Sequence, residues 1–172
     1  MTLNKVNVVS HTKLTKPQLA DLQHVMALAK KDPFLETPDD EVIREGDDRA
    51  AILLNAQVVG FFSPSKTSFL GVRHHRAGAL YLLPEYRGKG IMREALSAYF
   101  ATKTPALSWI ADNNAASQKL FKALGFVQNK AKAGQGGEAG HWYLKPKSDA
   151  ALEEGKPGYC ATIVKPAYFN WR

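Results

Sequence analysis

Apolar side chains recur along the chain in two different periods, and the alternation of those periods lays out the predicted elements. Lys5 to Val9 alternates weakly and predicts a first strand. From Lys16 to Lys31, Leu19, Leu22, Val25, Met26 and Ala29 return at helical spacing. Thr15 offers that helix an N-cap, Pro17 suits its first turn, and Pro33 ends it. His24 and Met26 read as surface or packing residues of this helix. Thr37-Pro38-Asp39-Asp40-Glu41 opens a short second helix through Arg44, with acidic residues where the helix dipole favours them. Ala50 to Leu54 and Val58 to Phe62 are apolar runs around Asn55-Ala56-Gln57, which predicts a hairpin. Ser63 to Gly71 starts polar and reads as a loop or a ragged edge.

Ala79 to Leu83 has the length and bulk of a buried strand, and Pro84, which has no N–H to donate, should stop it. Tyr86-Arg87-Gly88-Lys89-Gly90 follows, and then Ile91, Ala95, Leu96, Tyr99 and Phe100 at helical spacing. Beyond a turn at Pro105, Ala106 to Ala111 predicts another buried strand. Asp112-Asn113-Asn114 forms a strand-to-helix corner with Asx residues able to cap the next helix. That helix carries Ala116, Leu120, Phe121 and Leu124 and stops at Gly125, a natural C′ residue. Phe126-Val127 begins a strand. Gly134 to Gly140 is glycine-rich and reads as a hairpin loop, and His141 to Leu144 is the returning strand, ended by Pro146. In the tail, Pro157-Gly158 is a turn, Tyr159 to Val164 has strand character, and Ala167 to Arg172 is aromatic and basic, in the manner of a packing anchor.

With 172 residues the chain suffices for one domain with a real core and falls short of two. The expected organisation is a domain over residues 1–146 with an extension, 147–172, packed on it. A hydrophobic fraction of 45% and a charged fraction of 23% are those of a soluble globular chain. No apolar run reaches membrane-spanning length, and the N-terminus lacks a secretory pattern. A single Cys160 excludes an internal disulfide and a thiol-only zinc site, and suits a reducing compartment, so the cytoplasm is expected. The net charge of +7 favours anionic partners: a nucleotide cofactor, acidic substrates or nucleic acid. The basic residues form no block of five or six, so nucleic acid is a permitted partner rather than an indicated one.

A strand that breaks into a basic, glycine-bearing turn opening a helix is a phosphate cradle. Glycines let backbone approach a ligand, and the first N–H groups of the helix point at an anion with the dipole behind them. Arg87 and Lys89 add full positive charges. The spacing is neither G-x-x-x-x-G-K-[ST] nor G-x-G-x-x-G, so no triphosphatase or dinucleotide fold is supported. Arg87-Gly88-Lys89-Gly90-Ile91-Met92 instead resembles the acetyl-CoA loop [QR]-x-x-G-x-[GA] of the GCN5-related N-acetyltransferases, the GNAT superfamily. Five of the six positions agree, and Met92 departs where the family has Gly or Ala. A second family motif, N-x-x-[AS]-x-x-[LY]-[YF]-x-x-x-G-F, is matched by Asn114, Ser117, Leu120, Phe121, Gly125 and Phe126. The resemblance as a whole covers roughly Lys16 to Lys145.

The resemblance implies an α/β (α+β) GNAT fold: a central mixed, mostly antiparallel sheet of six to seven strands, with helices on both faces and a splayed strand pair at the cofactor site. It implies transfer of an acyl group from acetyl-CoA, or another acyl-CoA, to an amine acceptor, by a monomer or homodimer. Carried over, the backbone of Arg87, Gly88, Lys89, Gly90, Ile91 and Met92 would hold the pyrophosphate. Leu82 and Leu83 would pair with pantetheine as an added strand, and Ser108 to Asp112 would splay away. Asn114 would hydrogen-bond the cofactor arm, and Phe121 would line the thiol end. The chemistry needs a base, an oxyanion donor and a proton for the leaving thiolate. Backbone N–H near Leu82 serves the oxyanion. Relatives often donate the proton from a tyrosine where this chain has Phe121, which leaves Tyr81, Tyr143, Ser117 or solvent. Asp112, His74, His75 and Glu85 are base candidates by position. Adjacent His74 and His75 would point to opposite faces of a strand, and no metal site is expected. The acidic cluster Asp39, Asp40, Glu41, Asp47 and Asp48 would be helix-start and surface chemistry, or a wall of the acceptor site. Two other classes stay open: a DNA-modifying enzyme of the phage Mom type, and a non-catalytic acyl-CoA-binding module.

Overall fold

Among the described residues of the computed structural model (5–32, 49–69, 72–132 and 139–145), seven strands and three α-helices alternate along the chain. The expected helix after Thr37 with its acidic cluster, most of the glycine-rich loop and the tail lie outside them. The strands are β1 (Val6–Ser10), β2 (Ala50–Leu54), β3 (Gln57–Phe69), β4 (Val72–Leu82), β5 (Ala106–Ala111), β6 (Val127–Lys132) and β7 (Gly140–Lys145). The helices are α1 (Lys16–Ala29), α2 (Ile91–Phe100) and α3 (Ala115–Ala123). One sheet holds the strands in the order β1-β2-β3-β4-β5-β7-β6. β1–β2, β2–β3, β5–β7 and β6–β7 pair antiparallel, while β4 and β5 pair in parallel at His75 and Ala106. The sheet is therefore mixed and mostly antiparallel, as expected.

One expectation fails. Ser63 to Gly71 reads as a loop or a ragged edge, yet β3 continues to Phe69 and β4 already starts at Val72, seven residues before Ala79. Ser65, Lys66 and Ser68 are exposed and Ser63, Pro64 and Thr67 half-buried, so neither face of residues 63–68 needs apolar side chains. A ladder solvated on both faces leaves no periodic hydrophobic signature.

Contacts divide the chain into two compact units, Met1–Ser65 with Ala77–Tyr99 and Lys66–Arg76 with Phe100–Arg172. In the first, α1 is started by a capping box: Gln18 N–H donates to Thr15 Oγ1 at 3.4 Å and Thr15 N–H to Gln18 Oε1 at 3.1 Å. The same Gln18 reaches the carbonyl of Ala56, tying the helix to the β2–β3 turn. That turn is two residues long, with Asn55 at φ +50 and Ala56 at φ +69, the positive-φ pair whose twist matches a hairpin. Leu22, Val25, Met26 and Ala29 of α1 pack with Ala51, Leu53, Val58, Phe61 and Tyr81 of the sheet. Phe62, the neighbour of Phe61, must face the other way. There its ring meets Tyr99 of α2 edge-on at 5.0 Å. The two helices of this unit thus bury opposite faces of the sheet.

In the second unit, α3 ends as expected at Gly125, φ +83. Phe126 N–H donates to Phe121 C=O and Gly125 N–H to Lys122 C=O, the paired bonds of a Schellman motif. Lys145 Nζ donates to Leu124 C=O at 2.8 Å, placing a cation on the helix's negative end. Phe126 anchors the aromatic core here, 4.9 Å from Phe121 and 5.1 Å from Phe100.

Candidate functional site

The site-bearing stretch of the first unit begins inside β4. Ala79 sits at φ +46, a left-handed conformation that costs an L residue about 1–2 kcal/mol. Such strain persists only where the surroundings hold it, and it collects at ligand sites. Two residues on, the Tyr81 carbonyl and Leu82 lie so close over Gly60 of β3 that a side chain there would clash with both. Leu83 N–H donates to Val59 C=O at 3.0 Å, and its own carbonyl accepts from Tyr86 N–H in the 3₁₀ turn Pro84–Tyr86. The Leu83 N–H is thereby used within the sheet, while its carbonyl keeps a second lone pair for the added-strand pairing that resemblance implies. Leu82 N–H, one residue earlier, points to the strand edge away from β3.

The turn then opens α2. Gly88 and Gly90 take φ +73 and +78, which L side chains rarely adopt. A Cβ built on either glycine meets no atom within 4 Å, so the space over the loop is open. Gly90 C=O accepts from Glu94 N–H at 3.0 Å and so starts the helix. The N–H groups of Ile91, Met92 and Arg93 thus fall in the first turn, where α-helices have no internal acceptors for them. Room, conformation and donors fit a diphosphate.

Arg87 does something other than face that space. Its Nε donates to Leu82 C=O at 2.9 Å, its guanidinium lies 5.1 Å from the centre of the Tyr81 ring, and one terminal nitrogen is 3.4 Å from Asp32. The side chain braces the loop against the end of β4, while Lys89 lies 5.7 Å from the Tyr86 ring centre. Tyr81 is buried in the α1 core, its ring centre 6.1 Å from that of Phe61. Glu85 is exposed in the 3₁₀ turn, and Met92 is half-buried.

The second unit carries the other motif. Asn114 caps α3 by accepting from Ser117 N–H at 3.1 Å, which leaves its amide NH₂ to donate outward. Ser117 stands half-buried in the first turn of that helix, and Phe121 is buried with 1% exposure, its ring on Phe126. Tyr143 is equally buried on β7 opposite Ser108, and burial, then the nearby charge of Asp112, raises its hydroxyl pKa. A tyrosine so placed keeps its proton and is a poor acid for a departing thiolate.

Asp112, the first residue past the end of β5, has a partner that sequence alone does not reveal. Its Oδ1 is 2.6 Å from Nδ1 of His141, the second residue of β7. Pairing Ile110 with His141 brings the two together, and that register depends on a loop whose length and path the sequence leaves open. His74 is wholly buried, and His75 on the other face is half-buried. Burial, then Lys66, Lys103 and Arg73, lowers the His75 pKa and keeps it neutral. Among the described residues no three metal-ligating side chains gather, and no helix is long and apolar enough to cross a membrane.

The Acetyltransferase (GNAT) family profile matches residues 19–126. No curated protein matches the chain. Among solved structures, a ribosomal-protein-alanine N-acetyltransferase from Brucella melitensis is similar at a TM-score of 0.60 and 21% identity, over 81% of this chain and 99% of that one. The yncA protein of Salmonella typhimurium, solved with its cofactor acetyl-CoA, gives 0.59 and 20%, over 91% and 100%. A ribosomal L7/L12 alpha-N-protein acetyltransferase in complex with coenzyme A gives 0.62 and 13%, over 82% and 93%. At such identities the likeness is one of fold.

Proposed function

The chain belongs to the acetyltransferase (GNAT) family, and from that premise we propose that Arg87–Met92 is its donor-binding loop in an acyl transfer from acetyl-CoA to an amine. The observation that carries this reading is the positive-φ pair Gly88 and Gly90, with open space above them and the first turn of α2 beneath. Backbone N–H groups from Gly88 to Met92 would hold the diphosphate, Lys89 would add charge, and Arg87 would keep the loop in shape. Leu82 N–H is the donor for charge building on the acyl oxygen. The Asn114 amide would hold the donor's arm. Ser117 is the hydroxyl we assign to the thiolate, since Tyr81 and Tyr143 are spent on the core. When bound, the thioester supplies an activated acyl carbon; the protein's part is to orient it, exclude water and move two protons.

We further propose that residues 1–146 form the transferase domain and 147–172 its extension, and that the reaction is cytoplasmic, in keeping with a single cysteine. Two of the structural relatives are by name ribosomal-protein acetyltransferases, which supports testing α-amines of peptides first as acceptors.

The test is melting temperature with and without acetyl-CoA, in wild type and Gly90→Trp. Ligand at a hundred times Kd stabilises by about 2.7 kcal/mol, a rise of about 5–10 °C for a chain of this size. The tryptophan should abolish the rise while the variant still unfolds cooperatively. A wild type that shows no rise at saturating acetyl-CoA defeats the donor-loop reading.

A further inference from the structure

We propose that His141, oriented by Asp112, is the general base that takes the proton from the acceptor's ammonium group. The proposal rests on the transferase reading above and adds a residue to it.

The pair is built rather than incidental. A carboxylate only accepts hydrogen bonds, so at 2.6 Å from Asp112 Oδ1 the imidazole donates through Nδ1, which leaves Nε2 as the nitrogen that can exchange a proton. Asp112 is held on both sides of its backbone: its N–H donates to Ala139 C=O at 3.0 Å and its C=O accepts from Gln118 Nε2 at 2.9 Å. Gln118 also holds the Ala111 carbonyl. A carboxylate at a strand end would ordinarily swing in solvent; this one is fixed where the chain turns into α3. His141 keeps 13% of its side chain exposed and Asp112 37%, so the ring is sheltered and still reachable. An ion pair this exposed contributes little stability, which makes orientation the better account of it.

Its surroundings suit the role. Asp112 precedes by two residues Asn114, the residue assigned to the donor's arm. Tyr143 lies two residues beyond His141 on the same face of β7, and with its raised pKa it keeps its proton. With Nδ1 given to Asp112, Nε2 is the nitrogen the pair leaves for a substrate's proton. In the step, one N–H bond of the ammonium breaks and its electron pair stays on nitrogen. The proton adds to Nε2, the imidazolium is balanced by the Asp112 carboxylate, and solvent later removes the proton.

The experiment uses the full chain in two readouts. Long-range ¹H–¹⁵N NMR of histidine-labelled protein should show His141 protonated at Nδ1 when neutral, with that preference lost in Asp112→Asn. Release of CoA from acetyl-CoA is then followed against pH with two probes, n-butylamine and a decapeptide bearing a free α-amino group. The rate should fall on the acid side at the same pH at which NMR sees His141 titrate. His141→Gln should remove that limb and slow release about 10²–10⁴-fold, leaving the acetyl-CoA-induced rise in melting temperature intact. An unchanged acid limb in His141→Gln, an Nε2-protonated ring, or no CoA release with either probe overturns the proposal. In each of those cases a surviving thermal rise leaves the donor-loop reading standing, and its loss in wild type defeats both.

Discussion

Arg87 Nε donates to the carbonyl of Leu82 at 2.9 Å, closing the 3₁₀ turn between them into a braced loop. The contact makes a guanidinium do what an ammonium cannot: present a planar fork that meets a carbonyl while lying over the Tyr81 ring. Arg87→Lys keeps the charge and loses the brace, whereas Arg87→Met loses both. Both should destabilise by about 1 kcal/mol, since the bond is charge-assisted but its donor is half-exposed. Both should also weaken acetyl-CoA binding to a similar degree in calorimetry. A lysine variant that matches wild type would mean that charge, not bracing, is what Arg87 supplies.

Gly60 sets how closely β3 and β4 approach just before the candidate site. A Cβ there would overlap the Tyr81 carbonyl and come within 2.6 Å of Leu82 Cδ2. The carbonyl is backbone and can yield only if β4 moves. Gly60→Ala should therefore cost about 1–3 kcal/mol, read as a lowered melting temperature. Because the displaced residues include Leu82, acetyl-CoA affinity should fall along with it. Full stability in the alanine variant would show that the two strands separate there without cost.

The parts of this protein that sequence reveals are those fixed by local rules. Pro84 stops a strand, glycines open a helix at Ile91, Gly125 closes another, and each follows from what one residue's backbone can do. What the sequence hides is direction and partnership. Arg87 and Lys89 are two residues apart in a loop, and only the fold shows that one turns back to Leu82 while the other lies over the Tyr86 ring. Leu82 and Leu83 look equivalent as an edge until the bonds of Leu83 show that its N–H is already given to Val59. Asp112 and His141 are 29 residues apart and meet through a register no periodicity encodes. Solvated ladders are the other blind spot, because residues 63–68 extend β3 with mostly polar side chains.

His75 gives a pH signature independent of the reaction. Burial, followed by the positive charges of Lys66, Lys103 and Arg73, lowers its folded-state pKa below the ordinary 6.5. The unfolded chain, with no such surroundings, therefore binds a proton here at higher pH than the folded one. Stability rises with pH wherever the unfolded state holds more protons, so this residue removes stability as pH falls through about 6.5. The loss levels off once the folded state protonates as well. His75→Gln keeps a polar side chain of similar size and cannot titrate. Melting temperature plotted against pH should fall less steeply between pH 7 and 5 in the glutamine variant than in wild type, with the two curves parallel above pH 7.5. Adding 0.5 M salt should shrink the difference by screening the three cations, while the part due to burial persists. Curves that run parallel throughout would show that His75 titrates alike in both states, and that the basic residues around it lie too far away to matter.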